Sequence, residues 1–499
     1  MEAITNLNIP GLIALILYIL NILSLIMLLF VERKEPVQTM SWILVIVFLP
    51  VVGVILYIFL GRGFKISAKK TLEAKLRDDE NLHEAADKID SEYFGITNAL
   101  DSSFCFCDPK TKDYLPLIKL HYLLGNDAYT QDNSIEIYVD AKDKYDALIK
   151  DIENAEKSIN LLYFIFQNDA TGERFINALT KKASEGVEVR VIYDDMGSIL
   201  TRHKAFAPLI NAGGSVCRFF PLNFKTFIRA NYRNHRKIAV IDGKIGYTGG
   251  TNIGDEYLGL RKRTSPWRDT HIRITGHAVY ALQARFLMDW YYASKDKRIT
   301  TIEELTPFFP SVPKDLGGSV GMQIVSSGPD TKTDQILIGF IKMFGMAKKS
   351  ILIQTPYFIP DRAFIQSLQI AASSGINVKV MIPGIPDKKT VYQVTLSYIQ
   401  DLLDYGIEVY CYNGFLHSKM IVIDDEIATI GTCNMDMRSF SIHFEINAFI
   451  YDEKVSIDCR KIFEEDMKKS KKIDPEEFKK RNIFTRLSEG VLRLIAPLM

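Results

Sequence analysis

Two long apolar runs open the chain, and after about residue 64 they give way to a mixed pattern of shorter periods. Residues 10–31 carry no charged side chain, with Asn21 and Ser24 as the clear polar interruptions, and residues 41–60 are equally uncharged. At a helical rise of about 1.5 Å per residue, each run predicts a transmembrane helix, and Pro50 in the second is compatible with a kinked span. A buried core hairpin is the competing expectation. The leader MEAITNLN has no basic residue and the first run is longer than a signal-peptide core, so a secretory signal is disfavoured. Arg33 and Lys34 lie between the runs, whereas Arg62, Lys65, Lys69, Lys70, Lys75 and Arg77 follow the second. Positive-inside counting therefore predicts a multi-pass cell-membrane protein with its long C-terminal part in the cytoplasm. Residues 65–86, rich in Lys, Glu, Asp and Ala, predict an exposed charged helix.

From residue 142 onward, helical and strand periods alternate, as in an α/β domain. Laying element against element exposes an internal repeat. The first half runs ALIKDIENAEKSINLLYFIF, a helix over about 174–184, then GVEVRVIYDD; the second runs ILIGFIKMFGMAKKSILIQTPYFI, a helix over about 363–373, then GINVKVMIPG. The strands 159–166, 187–193, 351–358 and 376–382 are continuous β-branched and aromatic runs, the pattern of a sheet covered on both faces. A third block recurs in order: NHRKIAVIDGKIGYTGGTN from Asn234 and LHSKMIVIDDEIATIGTCN from Leu416. Three matches in one order predict two homologous α/β domains in tandem, each a mixed β-sheet flanked by helices.

Composition adds limits rather than an identity. With 499 residues, 47% apolar, the chain is large enough for several cores, and 61 basic against 60 acidic residues leave a charge of +1 that draws it to no nucleic acid. Six cysteines, four of them scattered, make no disulfide framework and favour a reducing compartment. Anion binding must then be local.

The paired blocks supply such a site. His235 and Lys237, like His417 and Lys419, are two residues apart on a strand and so share a face. A returning strand, 244–248 or 426–430, brings Gly249, Gly250 and Asn252, or Gly431, Thr432 and Asn434, to the same place. Lysines and amides hold phosphoryl oxygens, and glycines allow close backbone approach. Two histidines fit a phosphodiester because one must be neutral to attack phosphorus and the other charged to protonate the leaving oxygen. Asp269 and Glu445 are candidates to orient the histidines through their second ring nitrogens. Asp242 and Asp424 trail the strands, where catalysis and turn capping both account for them. His271 and His443 add nitrogens that a metal could use, but the neighbouring lysines repel a cation, so no metal and no cofactor is expected.

The two His-x-Lys-x4-Asp blocks resemble the paired signature of the phospholipase D superfamily. With QTPYF from Gln354 and the N-terminal apolar runs, the chain resembles bacterial cardiolipin synthases over nearly its full length. The resemblance implies transfer of a phosphatidyl group from one phosphatidylglycerol to another through a covalent phosphohistidine, with catalytic roles for His235, Lys237, Asp242, His417, Lys419 and Asp424. It also implies substrate-binding roles for Asn252 and Asn434, membrane phospholipids as partners and no nucleic acid. Gly250 replaces a frequent Ser of the wider superfamily, and His443 stands where similar synthases tend to carry Asn. Phospholipid hydrolysis and nuclease activity are the alternatives that the same chemistry permits. The expected layout is a membrane anchor over 1–63 with spans at about 10–31 and 41–60, an entry segment over 64–138, phospholipase D-like domains over 139–318 and 319–480, and an amphipathic segment over 481–499. In that last segment Leu487, Val491, Leu492, Leu494 and Ile495 are expected along one side of a helix, with Arg486 and Arg493 at its interfacial edge, a face open equally to membrane contact and to packing against a domain; residues 465–479 are expected to be a solvated linker.

Overall fold

Among the described residues fifteen strands line up in one continuous sheet whose order, one extra edge strand aside, reads the same from either side toward the middle. The computed structural model describes residues 9–30, 36–57, 106–221, 231–261, 264–294, 302–313 and 316–496; the charged helix expected over 65–86 lies outside them. In the first half the order inward is Ser215–Phe219, Glu188–Asp194, Ser158–Tyr163, Ile238–Ile241, Ile245–Gly249, His271–Thr275 and Tyr129–Tyr138. The second half repeats it inward as Glu408–Tyr412, Asn377–Pro383, Ser350–Gln354, Met420–Ile423, Ile427–Gly431, Glu445–Tyr451 and Val320–Ser327, with Ser470–Lys472 added at the outer edge. In both halves the three outer strands of this order are mutually parallel and the hairpin beside them is antiparallel. Tyr129–Tyr138 pairs antiparallel with Val320–Ser327 and welds the halves together.

The expected strands are present; those over 159–166 and 351–358 end early, at Tyr163 and Gln354, whereas those over 187–193 and 376–382 run one residue further, to Asp194 and Pro383. The run expected over 351–358 leaves the sheet after Gln354, just before Pro356, which has no N–H for a ladder, and resumes as Phe358–Ile359. A central apolar cluster draws residues from both halves around the helices Ala278–Ser294 and Glu453–Lys468, and two further clusters cover the opposite faces of the sheet. Residues 465–479 are not a linker. They finish the helix Glu453–Lys468, add the strand Ser470–Lys472 against Tyr410–Tyr412, and form the helix Pro475–Lys479, whose Phe478 is buried.

The N-terminal expectation is corrected. Among the described residues no helix is long and apolar enough to cross a membrane, which overturns the two transmembrane helices, the multi-pass cell-membrane location and the cytoplasmic orientation drawn from them. The second apolar run is broken where Pro50 cannot donate an N–H: Leu49 leaves helical geometry (φ −127°, ψ 68°), splitting the run into Pro36–Phe48 and Pro50–Leu56. Thirteen residues span roughly 20 Å, against the roughly 30 Å of a hydrocarbon core. The first run forms the helix Ile9–Phe30, which folds against these pieces. Leu28, Trp42, Ile46, Val54 and Tyr57 make a small core, and the Asn21 amide donates to the Ile46 carbonyl at 3.3 Å.

The C-terminal helix Ile483–Ile495 packs one face on Lys389–Leu403, where Arg493 donates to the Ser397 carbonyl at 3.0 Å, pairs with Asp401 and lies over the Tyr398 ring. Arg493, expected at the edge of the apolar stripe, therefore belongs to the packed face, while Ile483, Phe484, Leu487, Val491 and Leu494 are exposed.

Candidate active site

Each histidine precedes a four-residue buried strand, Ile238–Ile241 or Met420–Ile423, and its backbone is stitched to the other half of the molecule. His235 N–H donates to the Phe444 carbonyl at 2.9 Å, and His417 N–H donates to the Arg268 carbonyl at 2.6 Å. The next residue in each partner segment is a carboxylate, Glu445 or Asp269. The pairs therefore cross between halves: His235 Nδ1 lies 3.0 Å from Glu445 Oε2, and His417 Nδ1 lies 2.7 Å from Asp269 Oδ2. With Nδ1–H held by a carboxylate, Nε2 of each ring is left for chemistry. Phe164 packs edge-on against the His235 ring at 5.0 Å, and Trp267 and Phe415 stand 5.2 and 5.8 Å from the His417 ring.

Lys237 and Lys419 are buried in the same way, each donating to the carbonyl of its own histidine, at 2.7 and 2.5 Å. Gly250 is required by the approach of Asp269: a Cβ there would stand 2.0 Å from Oδ1. Its counterpart Thr432 instead donates its hydroxyl to Glu445 Oε2 at 2.5 Å, so the longer carboxylate is matched by a side chain and the shorter by none. Gly249 adopts φ 144° directly against the His271 backbone. Gly431 packs against Asn447. Both ends of the Asn252 amide are engaged, accepting from Ile165 N–H and donating to Tyr257 Oη, each at 3.0 Å. Asn434 Oδ1 is buried with no hydrogen-bond partner among the described residues.

Asp242 and Asp424 are not brought to this group. Seven residues on from each histidine, they sit at the far end of the strand, roughly 20 Å along an extended chain. Asp242 accepts from the N–H groups of Glu156, Lys157 and Ser158, and Asp424 from those of Lys348, Lys349 and Ser350, at 2.6 to 2.9 Å. The catalytic expectation for these two residues is corrected to capping of the preceding strand. His443 lies beside the site, its ring 5.8 Å from that of His235 and its Nε2 accepting from Arg438 at 3.4 Å. His271 is buried behind Gly249, with neither ring nitrogen partnered among the described residues.

Burial dominates the electrostatics. It pushes His235 well below its usual 6.5, reinforced by Lys237 and Lys419, and lowers His417 to about 4, with Lys419 adding and Asp269 opposing. Burial lifts Glu445 to about 7 against the pull of Lys237. It works against Asp269 too, yet His417 and Lys419 hold that carboxyl below its ordinary value. Burial brings Lys237 to about 7 and Lys419 to about 8. One carboxylate of the crossed pair is thus firmly ionised and the other is poised to share a proton.

Arg236, between His235 and Lys237 in the chain, is a further residue of the site that the His-x-Lys spacing does not single out. Alternation turns it away from its neighbours His235 and Lys237, into a fully buried network in which Asp289 and Asp330 lie 3.0 and 3.5 Å from its guanidinium. Arg285 reaches the same two carboxylates at 2.6 and 2.8 Å, and Arg236 Nε donates to the Glu445 carbonyl at 3.1 Å.

Two crossed imidazole–carboxylate pairs with paired lysines, on a duplicated α/β sheet, define a member of the phospholipase D superfamily. The family model described as cardiolipin synthase, PLD-like domain, matches residues 148–290 and again 340–467. The chain belongs to this cardiolipin synthase family. A second model, phospholipase D-nuclease N-terminal, matches residues 19–62. The chain is 44% identical over 489 residues to a cardiolipin synthase of Listeria monocytogenes, covering 97% of this chain and 98% of that one. It is 44% identical over 496 residues to the major cardiolipin synthase of Bacillus subtilis, covering 99% and 100%. The phosphatidylserine synthase of Haemophilus influenzae shares the fold, with a TM-score of 0.57 at 15% identity over 77% of this chain and all of that one.

Proposed function

We propose that the protein makes cardiolipin from two molecules of phosphatidylglycerol, with His235 as nucleophile and His417 as acid and then base. Phosphatidyl transfer is the reaction of the family to which the chain belongs. In the first step neutral His235 Nε2 attacks phosphorus, the bond to the terminal glycerol oxygen breaks, and His417 gives that oxygen its proton. In the second, the terminal hydroxyl of another phosphatidylglycerol attacks phosphorus while His417 takes its proton, and the phosphorus–nitrogen bond breaks. Glycerol and cardiolipin are the products, and both histidines return to their starting states. Lys237 and Lys419 are assigned to the non-bridging oxygens, and Asn434 to the same phosphoryl group through its amide.

The observation that carries this division of labour is the inequality of the carboxylates. Ionised Asp269 on Nδ1 offsets part of the burial that lowers His417 to about 4 and so favours its taking up a proton as phosphate charge arrives, whereas Glu445, raised to about 7, leaves His235 neutral for attack. The test is mass spectrometry of enzyme quenched while turning over labelled phosphatidylglycerol. A phosphatidyl adduct on His235, with at least about a hundredfold loss of transfer in His235→Ala, is the expected result. An adduct on His417 reverses the roles, and brisk transfer by His235→Ala removes the covalent route.

A further inference from the structure

A phosphatidyl donor has an apolar end and a polar end, and the two loops that flank the site differ in the same sense. After the strand Glu188–Asp194 the chain turns sharply: Asp194 Oδ1 accepts from Met196 and Gly197 N–H, both at 3.0 Å. Ser198 Oγ accepts from Phe166 N–H at 2.9 Å and donates to the Phe164 carbonyl at 3.2 Å, and Thr201 Oγ1 donates to the Phe166 carbonyl at 2.7 Å. Gly197 lies so close to Phe164 that a Cβ would stand 2.7 Å from its ring, and that ring in turn contacts His235 and lies 5.5 Å from Lys237 Nζ. The loop is thus clamped at both ends to the wall of the active site.

Its tip nevertheless points large apolar side chains at solvent: Met196, Ile199 and Leu200 are 36, 62 and 82% exposed. Scattered exposed hydrophobics are ordinary, but three on one clamped tip beside a catalytic histidine are not. Two exposed cations follow, and a cavity of about 410 Å³ is lined by Leu200 together with Arg202, Lys204, Asn168 and Ala205. The corresponding loop of the second half, after Asn377–Pro383, reads Gly384-Ile385-Pro386-Asp387-Lys388; Ile385 is only partly exposed and Asp387 accepts from Tyr357 Oη at 2.6 Å. Exposed cations follow both loops, Arg202 and Lys204 in one and Lys388 and Lys389 in the other, but the large exposed apolar side chains belong to the first.

We propose that Met196, Ile199 and Leu200 form the lip that receives the acyl chains of an anionic diacyl phospholipid, with Arg202 and Lys204 attracting its phosphate as it enters. This deepens the reading of the protein as a phosphatidyl transferase and rests on it for the identity of the lipid. The lip sets the choice of substrate form and contributes nothing to bond making.

The experiment pairs the double variant Ile199→Asp, Leu200→Asp with two donors: long-chain phosphatidylglycerol in neutral-detergent micelles, and dihexanoyl phosphatidylglycerol below its micellar concentration. Losing two buried apolar contacts should lower kcat/KM for the long-chain donor by about tenfold or more and change the short-chain value less than about twofold. Arg202→Gln with Lys204→Gln should raise KM for the anionic donor while leaving kcat in place. Equal losses on both donors, or none on either, would overturn the proposal, as would a change in oligomeric state of the aspartate variant, which would mark the tip as a face for a second copy of the chain. Binding of fluorescent long-chain phosphatidylglycerol is read in parallel. If the unaltered protein binds this probe through the lip but forms no cardiolipin, the transferase reading fails and the lip stands.

Discussion

His235 and His417 occupy equivalent positions in the repeat, yet Glu445 and Asp269 give them different charge environments, and the lysines make that difference sensitive to pH. Lys237 and Lys419 serve a phosphoryl group only while charged, and burial brings them to about 7 and about 8. A lysine is charged below its pKa, so affinity for the anionic substrate is present at lower pH and lost as pH rises through these values. The expected kcat/KM profile of the free enzyme falls between about pH 7 and 8, well below the ordinary lysine range of about 10.4. A profile flat to pH 9 would show that the substrate pocket keeps both lysines charged. The carboxylates should respond unequally to loss of charge. Asp269→Asn removes a firmly ionised partner and should cost about a thousandfold or more in kcat, as in other carboxylate–imidazole pairs. Glu445→Gln keeps an acceptor where a neutral carboxyl is already close to populated, and should cost only about tenfold. Steady-state kinetics of the two variants side by side decide it, and equal losses would remove the asymmetry on which the assignment of roles rests.

At the level of elements, the strands and their repeat were legible because a period of two in β-branched residues has few other solutions, and because three blocks recurred in one order. Alternation along a strand predicted His235 beside Lys237 and His417 beside Lys419; both pairs lie just ahead of the strands Ile238–Ile241 and Met420–Ile423, where each lysine donates to the carbonyl of its histidine. The trailing aspartates were ambiguous for the same reason: a residue at a strand end serves a turn as readily as a site. The structure puts both in the left-handed region, with φ 53° at Asp242 and 57° at Asp424, and gives each three backbone donors from the start of a neighbouring strand. Asp424→Ala should therefore lower stability by about 2–4 kcal/mol, because it orphans three N–H groups and places alanine at positive φ. Asp424→Asn keeps an acceptor and tolerates the backbone, so its cost should be about 1 kcal/mol. Urea midpoints measure the loss, and kcat per folded molecule should stay within about twofold; a hundredfold drop without destabilisation would return Asp424 to the catalytic group. The N-terminal runs misled by composition, since hydropathy counts residues and does not register that Pro50 divides a helix or that Asn21 finds a carbonyl on a neighbouring helix.

Across the whole molecule the decisive contacts join residues about 150 to 210 positions apart, a range that local periodicity cannot reach: Asp269 with His417 and Glu445 with His235. The crossing means that neither half supplies both members of either pair at the site, so the site exists only when the halves are held in register. Beside the welded strands and the backbone bonds of His235 and His417 to the opposite half, the network around Asp289 contributes to that register. Its carboxylate meets Arg236 at 3.0 Å, Arg285 at 2.6 Å and the Asn234 amide at 3.1 Å, while Arg236 also donates to the backbone of Glu445. One buried group on the helix Ala278–Ser294 thus ties the segment carrying His235 to the segment carrying its carboxylate. Asp289→Ala leaves two buried guanidinium groups with Asp330 as the remaining carboxylate between them, and removing one partner of a buried ion pair costs about 3–5 kcal/mol. The same change frees Asn234 and Arg236 to shift, so kcat should fall in molecules that remain folded, and it should fall further than in a variant of an exposed pair such as Arg460→Ala, whose partners Asp425 and Glu464 are solvent-accessible. Thermal unfolding and active-site titration on the same samples separate the two effects. Loss of stability with full activity per folded molecule would show that the network supports the core alone; loss of both, with the His235 adduct diminished in proportion to kcat, is the expected outcome if it aligns His235 with Glu445.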